Sequence, residues 1–353
     1  MNIDEKVKTW YSTMTFDNKH CFLCGLPLDE NNGTSEHVFP KWLQRKHNLW
    51  NQFLTLPNNS KIQYRQLVVP CCKKCNNEYL SEIENQIKNA FNLGLEEVRN
   101  LDSRIIYKWI MKIFYCLMYK DLSLQIDRGS KEKGNILTPE MLSKYRFMFD
   151  CMQSIRMSVE IDERYSSLFI FDIHKDIRKD ASLDFFYVDD ILHSQIVIQS
   201  DNVGIICCIG DNKVIEERLK KYFEPFYEMK LHPVQFRQLI TDVFYHRLLL
   251  KNSSNSIMMP NEIILMPSFF NSFDEYNVKE YAKCLFYLLH SFGFEFEDIY
   301  DSQLDAALNL LVDKNKRIIK YDENNLVQFG DIHEGYIVES AKDVRICASP
   351  FPK

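Results

Sequence analysis

Cys21-Phe22-Leu23-Cys24 and Cys72-Lys73-Lys74-Cys75-Asn76-Asn77 stand on either side of Glu36-His37-Val38-Phe39-Pro40. Their reading decides the fold of the first part of the chain. Two Cys-x-x-Cys pairs about fifty residues apart suit a tetrahedral four-thiolate site, and Zn2+ is the ion such a donor set prefers. A closed site of this kind is structural, and its ligation contributes on the order of 10 kcal/mol to folding. Cys71 adjoins Cys72, so two thiols compete for one ligand position. The x2 spacing and the Asn76 that follows favour Cys72, with Cys71 packing behind it.

Outward from these pairs, Pro40 at the head of Lys41-Trp42-Leu43-Gln44-Arg45-Lys46 predicts a short helix. Leu56 to Ser60 reads as a loop and Tyr64 to Val69 as a strand entering the second pair. Leu80, Ile83, Ile87 and Phe91 recur at helical spacing, so a helix begins just after Cys75. Hairpin and helix pinned by two cysteine pairs is the order of a treble-clef finger.

Beyond residue 92 the chain changes character. Ser103 is the expected N-cap of an apolar helix through Ile105 to Tyr119, and Thr138-Pro139-Glu140 opens another. From 157 onward Leu168–Asp172, Phe185–Val188, Gln195–Gln199 and Val203–Ile209 read as strands, with Ser200-Asp201-Asn202 as a hairpin turn. Two amphipathic helices follow. One runs from Pro233 with Phe236, Leu239, Ile240, Val243 and Phe244 on one face; the other starts near Val278 and is stopped by Gly293. The fold class expected is α+β, in three parts: a zinc-stapled module over 1–92, a helical segment over 93–156 and an α+β domain over 157–353.

Composition excludes several classes. At 46% hydrophobic and 26% charged the chain is of ordinary globular type. The most apolar stretch carries Lys108 and Lys112, which argues against a membrane span. Met1-Asn2-Ile3-Asp4-Glu5-Lys6 lacks the order of an export signal, so the expectation is a cytoplasmic protein whose eleven cysteines are thiols and metal ligands, not disulfides. Residues 1–90 hold eleven Lys/Arg against nine Asp/Glu, while the remainder is acidic by eight charges. Any attraction to nucleic acid is therefore local, or a partner supplies it.

The combination Glu36-His37-Val38-Phe39-Pro40-Lys41-Trp42-Leu43 with Cys72-Lys73-Lys74-Cys75-Asn76-Asn77 resembles the HNH (His-Me finger, ββα-metal) endonuclease family, in its Glu-His-x-x-Pro branch, over about residues 18–90. The resemblance implies a metal-dependent endonuclease hydrolysing DNA, with service in restriction or antiphage defence. RNA is an alternative substrate, and a non-catalytic zinc finger binding nucleic acid or protein is the alternative class. By the same resemblance His37 activates the attacking water, Asn76 ligates Mg2+ or Mn2+, and Glu36 is a metal ligand or a carboxylate just behind one. Hydrolysis of a phosphodiester needs more than a histidine base, which supplies about 10²–10⁴-fold, so a divalent cation is required as well.

The middle residue of the motif falls on Gln66, whose work would be to brace the loop carrying His37; Asn58 or Asn59 could substitute. Glu84 is the continuation carboxylate of the helix. Lys41, Arg45, Lys46 and His47, interleaved with Trp42 and Trp50, could grip phosphates or form a solvated face over two core tryptophans. Asp331-Ile332-His333-Glu334 is the other His-acid cluster and reads as a turn. The acidic remainder is expected to oligomerise, sense a ligand or dock a regulatory partner protein.

Overall fold

A computed structural model describes residues 11–157, 159–174, 184–251, 255–258, 262–266, 271–313, 315–320 and 344–346, the segments 255–258, 262–266 and 344–346 as backbone alone. The Asp331–Glu334 cluster and Cys347 lie outside these residues. The architecture is mixed α+β, in two compact units: residues 1–166 with 209–212 and 254–267, and residues 167–208, 213–253 and 268–353.

The first unit opens on β1 (Gly33–His37), α1 (Lys41–Lys46), β2 (Phe53–Thr55), β3 (Lys61–Gln63) and β4 (Val68–Cys72). β1 and β4 pair antiparallel with Gly33 opposite Cys72 and His37 opposite Val68, and β2 pairs antiparallel with β3. A π-helical turn over Cys75–Leu80 leads into α2 (Ser81–Leu93). The expected strand from Tyr64 starts later, at Val68. Tyr64–Gln66 instead form a 3-10 turn closed by a capping box between Gln63 and Gln66. Side-chain to backbone bonds of this kind compete with ladder pairing.

α3 (Ser103–Asp121) is the core helix of this unit, with Tyr107, Trp109, Phe114 and Tyr115 fully buried. Its N-cap is Asp102, not Ser103: the Asp102 carboxylate accepts from the Arg104 N–H, and a carboxylate answers the exposed amides better than a hydroxyl. Phe91 of α2 meets Trp109 at 5.8 Å between ring centroids. Thr138 caps the short helix Pro139–Ser143 as its sequence implies, and α4 (Arg146–Gln153) packs against α3.

In the second unit β5 (Ser167–Ile173), β6 (Phe185–Asp190), β7 (Gln195–Ser200) and β8 (Val203–Cys208) form an antiparallel sheet in the order β5-β8-β7-β6. The turn between β7 and β8 is the expected one: Ser200 pairs with Val203, and Asp201 takes the left-handed conformation at φ 54°. Lys230–Leu231 adds in parallel beside β5, and Val344–Ile346 beside β6. Every residue of β6, β7 and β8 is buried, the pattern of a sheet covered on both faces.

α5 (Val214–Tyr227), α6 (Pro233–Leu249) and α7 (Val278–Leu289) supply much of that cover. A β-carbon on Gly204 of β8 would come 2.5 Å from Phe236 Cζ, so α6 lies against the strand as closely as a missing side chain allows. α6 departs from its expected amphipathic form. Gln235, Gln238, Thr241 and Asp242, on the face away from Phe236 and Leu239, are buried too. Among the described residues no helix is long and apolar enough to cross a membrane.

Candidate functional site

The ligand atoms of Cys21, Cys24, Cys72 and Cys75 all lie within 4.8 Å of one another. Cys21 and Cys24 sit on a turn that begins at the His20–Pro27 bridge, Cys72 ends β4, and Cys75 opens the π-helical turn. Cys24 Sγ is 3.8 Å from Cys72 Sγ, and the Cys75 N–H donates to Cys72 Sγ at 3.4 Å. Cys71 points its Sγ to within 4.0 Å of Cys21 from behind, outside the group of four.

Electrostatically the cluster is suited to a cation. Hydrogen bonds from Cys24, Cys71 and Cys75 hold the Cys21 thiol far below its ordinary pKa. Its closeness to Cys21 in turn pushes Cys24 up to about 11, and Cys75 rises further for the same reason. Four thiolates need a metal ion among them, and this cluster could hold one.

Beside β1 a cleft of about 200 Å³ is lined by Ser35, Glu36, His37, Lys41, Trp42, Asn76, Ser81, Glu84, Asn85 and Lys88. β1 brings Ser35, Glu36 and His37, α1 brings Lys41 and Trp42, and the π-helical turn with α2 brings the rest. Asn76 donates from Nδ2 to the Ser35 carbonyl at 3.2 Å, which fixes the orientation of its amide group.

The His37 ring stacks on Trp50, 5.8 Å between centroids and 24° between planes. Burial, with Lys41 and Lys112 nearby, pulls its pKa down to about 4. The imidazole is therefore neutral at pH 7 and able to accept a proton. Trp50 is exposed and Trp42 packs on Phe91, so the pair is not a shared core.

The floor of the cleft is organised by Lys112, a residue that motif reasoning missed. Its side chain on α3 is 2% exposed. Its Nζ contacts Glu36 Oε1, pairs with Glu84 Oε1 at 2.8 Å, and donates to the carbonyls of His37 at 2.6 Å and Val38 at 3.1 Å. Burial opposes the ammonium, but the two carboxylates outweigh it and hold Lys112 above its ordinary pKa. Glu36 is raised to about 7 by burial and by Glu84, against the pull of Lys112.

Of the residues expected at the site, Glu36, His37, Asn76 and Glu84 come together with Lys41 and Trp42. Gln66 does not join them: it is exposed, and its side-chain oxygen accepts from the Gln63 N–H. Asn58 donates to the carbonyls of Gln125 and Ile126, away from the cleft. The bracing of the His37 backbone falls to Lys112, with the Val38 N–H donating to the Leu67 carbonyl. The one signal for Lys112 in the sequence is a lysine set among apolar residues on every side of a helix. Comparison with known proteins gives no match: no protein-family model, no curated protein and no solved structure aligns significantly with this chain.

Proposed function

We propose that this chain is a metal-dependent endonuclease of the HNH type, hydrolysing phosphodiester bonds in DNA on a hairpin-and-helix module stapled by zinc. The observation that supports it best is the convergence of Glu36, His37 and Asn76 in one cleft, on elements joined by a four-cysteine cluster. A purely structural finger has no use for that convergence. Zn2+ is the ion suited to four thiolates, while the amide oxygen of Asn76 and the carboxylate oxygens of Glu36 and Glu84 suit Mg2+ or Mn2+. Such an ion, when bound, stabilises the charge that develops on the phosphate and the leaving oxygen.

His37, neutral and stacked against Trp50, takes the proton from the attacking water. Lys112 holds the histidine's backbone in place and keeps Glu36 from facing Glu84 unopposed. Lys41 and Lys88 at the cleft wall receive the phosphates on either side of the scissile bond. The test is a cleavage assay with Mg2+ or Mn2+ on duplex DNA, single-stranded DNA and RNA. His37→Ala should lower the rate by about 10²–10⁴-fold with the melting temperature unchanged. Equal rates for both proteins would remove the mechanism, and preferential cutting of RNA would change the substrate.

A further inference from the structure

The second unit contains a pocket that the nuclease reading does not use. It has a volume of about 360 Å³ and lies between α5, α6, α7 and residues 305–309. Asp242 of α6 is at its base. The Tyr281 hydroxyl donates to Asp242 Oδ1 at 2.6 Å, whereas Oδ2 is buried and has no hydrogen-bond partner among the described residues. The Tyr222 hydroxyl is a second donor close enough to act on the carboxyl. A buried carboxyl oxygen left without a donor is costly to a fold.

The remaining lining restricts the occupant. Among the described residues the charged side chains of its lining are Asp242 and Asp305, and Arg218 lies near enough to act on His246. His246 donates from Nδ1 to the Asp242 carbonyl at 2.8 Å, and burial pulls its pKa down, so it is a neutral ring. Tyr276 and Tyr222, 50% and 38% exposed, line the way in from solvent. Tyr276 is held by ring contacts to Tyr281 at 5.6 Å and Tyr245 at 5.1 Å. Acceptors at the base and aromatic faces along the wall are the surroundings of a cation.

A guanidinium would want both oxygens of the carboxylate for its fork, and Tyr281 already occupies one. A single remaining oxygen matches the point charge of an ammonium with a donor hydrogen. We infer that this pocket binds a primary alkylammonium ligand, its charged nitrogen on Asp242 Oδ2 and its alkyl chain against Tyr222 and Tyr276. The raised pKa of Asp242, about 7 and caused by burial, agrees with a site whose counter-charge arrives from outside. The inference is independent of the nuclease chemistry, because its readout is binding.

The experiment is calorimetric titration of the full-length protein with n-butylamine and 1,4-diaminobutane, with n-butylguanidinium and inorganic phosphate as comparators. Both amines should bind more tightly than either comparator. Asp242→Asn should weaken them at least about tenfold, and Tyr276→Ala should weaken them less. Absence of amine binding up to about 10 mM, equal binding by Asp242→Asn, or tighter binding of guanidinium or phosphate would overturn the inference. Should Asp242→Asn fail to fold, Tyr276→Ala at its half-exposed position decides: weakened amine binding supports the site, and unchanged binding overturns it.

Discussion

Glu36 in the first unit and Asp242 in the second are both buried carboxyls raised to about 7, yet they reach that value by different routes. Glu36 is opposed by a lysine and pressed by a second carboxylate, Glu84. Asp242 is opposed only by the tyrosine hydroxyls of Tyr281 and Tyr222. The lesson is that a shifted carboxyl has meaning only with its partners named. Glu36 belongs to a charge network whose removal leaves an unbalanced ion behind. Asp242 is a solitary group that can take up a proton in place of a counter-ion.

The largest effect that would sharpen the contrast concerns the units as a whole. The described tryptophans, Trp42, Trp50 and Trp109, all belong to the first unit. Stripping the cysteine cluster with a strong chelator should remove stabilisation on the order of 10 kcal/mol and shift the tryptophan emission. The helical and strand signal of the second unit should persist. Loss of both signals together would show that the units do not fold separately.

Lys112→Met comes next. It leaves Glu36 and Glu84 facing each other without counter-charge, and breaking such a network costs about 3–5 kcal/mol. Unfolding followed by tryptophan emission should show that loss, and adding Glu36→Gln should recover part of it. If Lys112→Met alone is as stable as the parent protein, the lysine is not the organiser of the cleft floor.

The smallest effect depends on pH. Folded Asp242 holds its proton up to about pH 7, against an unfolded value near 3.8. Between these values the folded state binds more protons than the unfolded one. Stability therefore falls as pH rises through this window and is greatest below it. Asp242→Asn has no proton to lose. Its stability relative to the parent should climb by about 2–4 kcal/mol between pH 4 and pH 8, read by circular dichroism of the second unit. A difference independent of pH would mean that Asp242 is ionised throughout.

What could be read in the sequence was local chemistry. Paired cysteines, a Glu-His dipeptide and an Asn at a helix start each announce themselves within a few residues, and the structure gathers them into one cluster and one cleft. The strands Leu168–Asp172 and Val203–Ile209 were legible because strand propensity and turn residues agree. Lys112 was not, because its partners lie 28 to 76 positions away and its helix reads simply as apolar. Asp242 was hidden differently. A polar face on an amphipathic helix is expected to meet water, and here a second layer of α7 and residues 305–309 covers it. Gln66 failed for a local reason: Gln63, three residues before it, offered a nearer partner than the histidine loop.

The π-helical turn over Cys75–Leu80 has a consequence for the spacing of the cleft. Eight residues of regular α-helix would set Asn76 and Glu84 about 80° out of phase, at opposite margins of one broad face. The wider i→i+5 winding takes up that excess, and both side chains line the same wall. The turn works like a phase corrector between the cysteine cluster at one end and the carboxylate at the other. A single-residue deletion there would leave every cleft residue present in the chain and yet rotate the wall out of alignment.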